Sequence, residues 1–195
     1  QEEWPWMGVL FYWYFRPVSD NDRDQVVYYF RMADPDFTPQ PVYWAYREMA
    51  SVPAFLPYGY HQENHYALNY QGPWVEVTEP RAVLGAYQRG QPGASLSFTF
   101  RGSGLDVVTK VGPDQGRLVV EVDGWGARAN QLPRDELGRA SLNLAAATEA
   151  WQVRAPLARG LPYGEHRGRL WAEGGEVAID GLVVVRSEAA WGLRL

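Results

Sequence analysis

A chain of 195 residues is long enough for one large domain, or for one ordinary domain with a smaller addition. Its formal net charge of −5 argues against the dense positive surface that nucleic-acid binding needs. The absence of cysteine excludes disulfides, thiolate metal sites and thiol nucleophiles. No stretch reaches about 18 consecutive apolar residues, so the sequence predicts no membrane-spanning helix.

The N-terminal region is rich in aromatic residues, because most of the tryptophans, tyrosines and phenylalanines lie within positions 1–74. Residues 7–15 form a continuous apolar and aromatic run, which is typical of a strand buried on both faces of a parallel sheet. The pattern predicts a second short strand at 26–30 and a helix over 41–50. Residues 52–73 contain several prolines, glycines and tyrosines, which indicate an ordered connector.

From residue 74 onward the hydrophobic pattern has a period of two. Leu96, Phe98 and Phe100, for example, alternate with polar residues. Such alternation marks strands with one face in a core and the other in water. The pattern predicts eight short strands, at 74–79, 96–101, 105–111, 118–123, 141–146, 151–154, 166–173 and 176–186. Strands at this spacing favour a β-sandwich, most simply a jelly roll, so we expect units at 1–51, 52–73 and 74–195.

Three motifs near the N-terminus carry a resemblance to a known family. They are Gly8-Val-Leu-Phe-Tyr-Trp13, Tyr28-Tyr-Phe30 and Pro41-Val-Tyr-Trp-Ala-Tyr46. Together they resemble the last strand and helix of the (β/α)8 barrel of retaining, clan A glycoside hydrolases. The resemblance implies that Trp13 corresponds to the floor of a sugar subsite. It also implies that the catalytic glutamates belong to the fourth and seventh barrel strands, which this chain lacks, and Glu2 and Glu3 match neither position.

The second half of the chain resembles the galactose-binding-like jelly-roll modules that often follow such barrels. The resemblance rests on Phe98-Thr-Phe-Arg-Gly102, on the strand 116–124 that ends in Asp-Gly, on Leu161-Pro-Tyr-Gly-Glu-His166 and on Val177-Ala-Ile-Asp-Gly-Leu-Val-Val184. The implied fold is mainly β: a galactose-binding-like jelly-roll sandwich preceded by a strand-and-helix remnant of a (β/α)8 barrel.

Sugar recognition uses flat aromatic faces together with planar hydrogen-bonding groups. Trp171 alternates with arginines on the polar side of a strand, so it is either a ligand platform or a side chain covered by a loop. Trp125 follows an Asp-Gly turn, where it either binds ligand or caps the sandwich. We therefore expect saccharide contacts from Trp171, Trp125 and Trp13, with Arg169 and Arg101 as hydrogen-bonding partners.

No cofactor is expected, although modules of the resembled fold often hold a structural calcium ion. Asp123 and Asp180 are possible ligands, but a tight turn explains the glycine after each of them equally well. The spacing of His61 and His65 invites a metal hypothesis, yet no third ligand is evident.

The sequence leads us to expect a non-catalytic, carbohydrate-binding or accessory module of an extracellular or cell-surface protein. Its partner would be a polysaccharide or an oligosaccharide. Two alternatives stay open: a structural or assembly subunit that associates with itself or a partner chain through the aromatic N-terminal segment, and the C-terminal piece of a split glycoside hydrolase.

Overall fold

The computed structural model of the chain describes residues 14–51 and 54–186. The chain divides into two compact units, Gln1–Pro53 and Ala54–Leu195. The barrel strand expected at residues 8–13 and the expected sugar contact Trp13 lie outside the described residues. None of the helices in the described ranges is long and apolar enough to cross a membrane.

The first unit contains one α-helix, α1, within its described residues 14–51. It spans Pro41–Ser51, which confirms the helix predicted there. The strand predicted at residues 26–30 is wrong, because Val26–Phe30 forms a 3-10 helix. Its backbone is turned by the bond from the Tyr28 N–H to the Gln25 carbonyl, and the Tyr28 hydroxyl is tied to the Asp20 carboxylate. Local turn bonds therefore replace the ladder that a strand would need.

The second unit is built from short antiparallel strands. Its described residues, 54–186, form twelve: β1 Gly59–Gln62, β2 Asn69–Gln71, β3 Trp74–Thr78, β4 Ala86–Gly90, β5 Ser95–Gly102, β6 Gly104–Val111, β7 Arg117–Val122, β8 Ala140–Asn143, β9 Ala150–Ala158, β10 Gly164–Glu173, β11 Val177–Ile179 and β12 Gly181–Val185. The mainly β fold expected from the alternation is confirmed.

These strands form three antiparallel sheets. The five-stranded sheet has the order β2-β5-β10-β7-β8, the four-stranded sheet β1-β12-β6-β9, and the three-stranded sheet β11-β4-β3. The main buried cluster combines side chains of the five-stranded and four-stranded sheets with Ile179 of β11, and it includes Phe100, Leu170, Leu105 and Leu182. A smaller second cluster at the three-stranded sheet contains Tyr87 and Ala178. The five-stranded and four-stranded sheets therefore share one core.

The alternation along β10 determines which side chains reach the surface. Its even positions from His166 to Ala172 are buried, whereas Arg167, Arg169 and Trp171 at odd positions point away from the core. Gly168 is one of the buried positions. A Cβ there would overlap the Phe98 ring, so this core ring occupies the space that any larger residue would need.

Three elements of the sandwich differ from the sequence-based expectation. The segment expected as a connector contributes β1, which pairs with β12, and β2, which pairs with β5. Strand β4 was not predicted. The strand predicted over 176–186 is interrupted at Asp180, which separates β11 from β12.

Candidate functional site

One end of the sandwich brings together several chain segments that carry exposed aromatic and charged residues. We call this region the loop end and define it as residues 101–104, 123–131 and 159–166 together with Arg186. The Ser103 N–H donates to the Val185 carbonyl and the Leu161 N–H donates to the Ser103 carbonyl. These bonds join the β5–β6 turn, the β9–β10 loop and the end of β12 into one surface.

Trp125 is presented at the loop end by a tight Asp-Gly turn. Asp123 and Gly124 both have positive φ angles, 52° and 77°, as the central residues of a type I′ turn require. The turn is closed by the Trp125 N–H, which donates to the Val122 carbonyl at 3.0 Å. The Trp125 side chain is 66% exposed, so this indole is displayed rather than packed as a cap.

Tyr163 is the second exposed aromatic residue of the loop end, with 47% of its surface accessible. Its ring lies near two guanidinium groups, with the central carbon of Arg101 5.9 Å and that of Arg186 5.0 Å from the ring centre. The structure thus brings the predicted residue Arg101 to Tyr163. Tyr163 was not among the predicted site residues, although an aromatic residue between Pro162 and Gly164 in a turn is a recognisable signal of exposure.

A buried histidine connects the two aromatic loops. His166 is 5% exposed, and its Nδ1 atom lies 2.8 Å from an Asp123 carboxylate oxygen, two residues before Trp125. Its Nε2 atom lies 2.8 Å from the carbonyl oxygen of Pro162, directly before Tyr163. Each ring nitrogen therefore contacts one of the two aromatic loops.

The Asp123 carboxylate gathers further donors in addition to His166. It accepts a hydrogen bond from the Arg167 N–H at 2.8 Å and forms an ion pair with Arg128. Burial acts to raise the pKa of Asp123, but the hydrogen bonds from His166 and the Arg167 N–H outweigh it and lower that pKa. Asp123 is therefore a carboxylate whose donors fix the turn.

Trp171 and Arg169 lie together at a different place, on the outer face of the five-stranded sheet. The Arg169 guanidinium carbon is 5.5 Å from the centre of the Trp171 ring. Trp171 is only partly exposed, and its indole N–H donates to Glu173 at 3.1 Å. The register places Trp171 opposite Val119, three residues before the end of β7, so the structure does not bring it to Trp125.

Polar groups lie on one side of Trp171 across the sheet, and the buried Val119 lies on the other side. In the β-ladder Trp171 lies opposite Ser95 and Arg169 opposite Ser97, while Ser95 and Ser97 lie opposite Gln71 and Asn69 of the edge strand. Hydroxyl, amide and guanidinium groups thus form two rows on one open face. Such rows can hydrogen-bond to sugar hydroxyls.

A pair of acidic residues is buried next to β1. Glu63 and Asp180 are each 1% exposed, and one Glu63 carboxylate oxygen, Oε2, has no hydrogen-bond partner. Both Asp180 oxygens accept from the Val83 N–H, at 3.0 and 3.1 Å. Burial raises the pKa of both groups, and the Asp180 charge raises that of Glu63 further.

These two carboxylates have the oxygen chemistry that a hard cation such as calcium prefers. The orphaned Glu63 oxygen is compatible with that role, and Asp180 is one of the two aspartates that the sequence offered as possible calcium ligands. In the part of the chain that the structure describes, no three histidine, aspartate or glutamate side chains form a metal-binding group. Further ligands would therefore have to be carbonyl oxygens or water.

The predicted histidine pair also lies near β1. The His61 and His65 ring centres are 5.0 Å apart, and the His61 Nε2 atom is 2.6 Å from the Pro57 carbonyl oxygen. Burial lowers the pKa of both rings. One ring nitrogen of His61 is therefore used in the contact with the Pro57 carbonyl oxygen, which lies in the chain just before β1.

Comparison with known proteins gives likeness at the level of structure alone. No protein-family model matches the chain, and no curated protein matches it. A family 35 carbohydrate binding module from Clostridium thermocellum is 16% identical, with a TM-score of 0.45 over 64% of this chain and 96% of that one. A family two carbohydrate esterase from Cellvibrio japonicus is 18% identical, with a TM-score of 0.44 over 64% of this chain and 32% of that one.

A xanthan lyase from Paenibacillus is 10% identical, with a TM-score of 0.49 over 70% of this chain and 14% of that one. The matches to the C. japonicus esterase and to the xanthan lyase therefore cover 32% and 14% of those proteins, a third or less of each. With TM-scores below 0.5, these likenesses assign no ligand to the chain.

Proposed function

We propose that the loop end binds a saccharide without hydrolysing it. On this proposal the chain is a carbohydrate-binding accessory module, with a galactose-binding-like jelly-roll fold, of an extracellular glycoside-hydrolase-like protein. The observation that carries the proposal is the pair of exposed aromatic rings, Trp125 and Tyr163, held at one end of the sandwich by His166.

The chemistry of the loop end matches what a pyranose requires. An exposed indole offers an apolar face to the C–H groups of the sugar ring. The guanidinium groups of Arg101 and Arg186 lie beside Tyr163, and that of Arg128 pairs with Asp123 in the turn before Trp125. Guanidinium groups can donate to hydroxyl oxygens. Trp171 and Arg169 form a second proposed contact surface on the outer sheet face, with a less exposed indole.

The absence of hydrolysis is proposed from the acidic residues. Hydrolysis of a glycosidic bond needs two carboxyl groups about 5 to 9.5 Å apart across an accessible cleft. Among the described residues, Glu63 and Asp180 are a carboxyl pair whose pKa values are both raised, which is a property of many catalytic acids. Each is only 1% exposed, so a polysaccharide cannot reach between them.

The test is a titration with a panel of soluble polysaccharides. Tryptophan fluorescence reports binding, and the release of reducing ends reports hydrolysis. Saturable quenching without new reducing ends supports the proposal. A chain that gives no response to any member of the panel, or that releases reducing ends, contradicts it.

A second function, assembly with another protein chain, is favoured by the surface of the first unit. None of the described side chains of α1 is buried, and Trp44 and Met49 are 50% and 67% exposed. Large exposed apolar side chains in one region mark interaction surfaces. A molar mass that rises with protein concentration and falls to the monomer value in Trp44→Ser, without any glycan response, would favour assembly over saccharide binding.

A further inference from the structure

The outer face of the five-stranded sheet carries a row of short side chains along β5. This strand turns its apolar residues into the core, so Ser95, Ser97 and Thr99 lie on the outer face. All three are partly exposed. Because serine and threonine are small, little rises above the backbone along this strand.

Longer side chains flank this row on both sides. On β2, the exposed Asn69 and Gln71 lie opposite the two serines. On β10, the exposed Arg167 and Arg169 and the partly exposed Trp171 lie opposite the threonine and the two serines. Since neighbouring strands are about 4.8 Å apart, the two flanking rows are about 10 Å apart. The row between them is the floor of a shallow groove, which we call the β5 trough.

The β5 trough connects the two surfaces that carry aromatic residues. It begins beside Trp171, which lies opposite Ser95, and it reaches Arg101, which lies opposite Glu165. At about 3.3 Å per residue, the strand from position 95 to position 101 spans roughly 20 Å, the length of about four extended pyranose units. The guanidinium carbon of Arg101 is 5.9 Å from the centre of the Tyr163 ring, so the trough ends at the loop end.

The orientation of Trp171 at the start of the trough is fixed by polar contacts. Its indole N–H donates to Glu173 at 3.1 Å, and Glu173 forms ion pairs with Arg117 and Arg139. The Arg169 guanidinium carbon lies 5.5 Å from the ring centre. An aromatic ring that is already oriented in the free protein loses less conformational entropy when a ligand stacks on it.

We propose that the β5 trough binds an extended polysaccharide chain lengthwise, with one sugar ring near Trp171 and another near Tyr163. The inference rests on the proposed function and adds the class of ligand, a chain of about four or more units in an extended conformation. The hydroxyl and amide groups of the trough both donate and accept hydrogen bonds, as sugar hydroxyls do, and its arginines donate. Extended chains such as cello-, xylo- and manno-oligosaccharides match a straight groove, whereas malto-oligosaccharides coil and do not.

The experiment is a length series measured by isothermal titration calorimetry with the whole chain. Cello-, xylo- and manno-oligosaccharides of two to six units are compared with malto-oligosaccharides of the same lengths. At least one extended series should bind about tenfold or more tightly at four units than at two, with little further gain at six. Affinity that does not grow with length in any extended series, or that grows equally in the malto series, overturns the trough.

Ser97→Tyr tests where the chain lies, because the larger ring would fill the floor of the trough while tyrosine remains compatible with a strand. This variant should bind the six-unit ligand only about as tightly as the unmodified protein binds the two-unit ligand. Thr78→Tyr, at an exposed position of β3, is the matched control and should not change the affinity. Equal losses in the two variants, or no loss in Ser97→Tyr, overturn the trough. If Ser97→Tyr does not fold, the length series on the unmodified protein decides the claim.

The outcomes separate this inference from the proposed function. Binding that is independent of length and is lost in Trp125→Ala overturns the trough and leaves the loop end as the binding site. Binding that depends on length and is lost in Ser97→Tyr but not in Trp125→Ala supports the trough and contradicts the loop end. If no oligosaccharide of the series and no polysaccharide of the panel binds, both proposals fail.

Discussion

Replacement of Trp125 by alanine is the most informative single change, because it removes binding surface and leaves the fold in place. The indole is 66% exposed. With a full surface of about 250 Å², it offers roughly 160 Å² to solvent, of which a pyranose stacked on one face would cover about 80 Å². At about 25 cal/mol per Å², that contact contributes about 2 kcal/mol, or roughly a 30-fold change in affinity.

The assay is isothermal titration calorimetry with a polysaccharide that quenches the fluorescence of the unmodified protein. Trp44→Ala is the matched control, because Trp44 is also an exposed indole, on the first unit. The melting temperature of Trp125→Ala should stay within about 3 °C of the parent, since little packing is lost. A loss in affinity below threefold with the fold intact, or the same loss in Trp44→Ala, would refute the reasoning.

Three further predictions concern stability. Gly168→Ala should lower the free energy of unfolding by about 2 kcal/mol or more, because the added Cβ would overlap the Phe98 ring. Urea denaturation measures this loss, and an unchanged denaturation midpoint would contradict the overlap. Glu63→Gln should raise the melting temperature at pH 7 in EDTA, because the raised pKa of Glu63 gives stability that is present in acid and lost as pH rises. It should also remove any stabilisation that calcium gives the unmodified protein, whereas an equal calcium response in both proteins would exclude Glu63 as a ligand. Bonds to Lys110 and Trp151 lower the pKa of Glu149 to about 2, so its charge stabilises the fold at neutral pH and this stabilisation is lost in acid. Glu149→Gln should therefore lower the melting temperature at pH 7 and have little effect at pH 2. A melting-temperature difference of the same size at pH 2 would speak against those bonds.

The sequence was most informative where local pattern and tertiary environment agree. Strand β5 alternates between buried and partly exposed residues along its whole length, and the sequence predicted this strand. α1 was predicted from helical spacing in the same way. Strands β1 and β2 were missed because they have four and three residues, and their stability comes from pairing with β12 and β5, which are distant in the chain.

The site could be predicted only in part, for a related reason. The Asp-Gly turn before Trp125 is visible in the sequence, and so is the polar face that carries Trp171. The contacts that hold the loop end together are not visible, because His166 reaches a carboxylate 43 residues away. Only the antiparallel pairing of β10 with β7 brings those two side chains together.

The central claim is that Trp125 contacts saccharide at the loop end. The most direct measurement is a nitrogen–proton spectrum of the tryptophan indole groups, recorded during titration with a polysaccharide that quenches fluorescence. We expect the Trp125 indole signal to shift saturably while that of Trp44 stays in place. A titration in which Trp125 does not move, or in which Trp44 alone responds, would contradict the account.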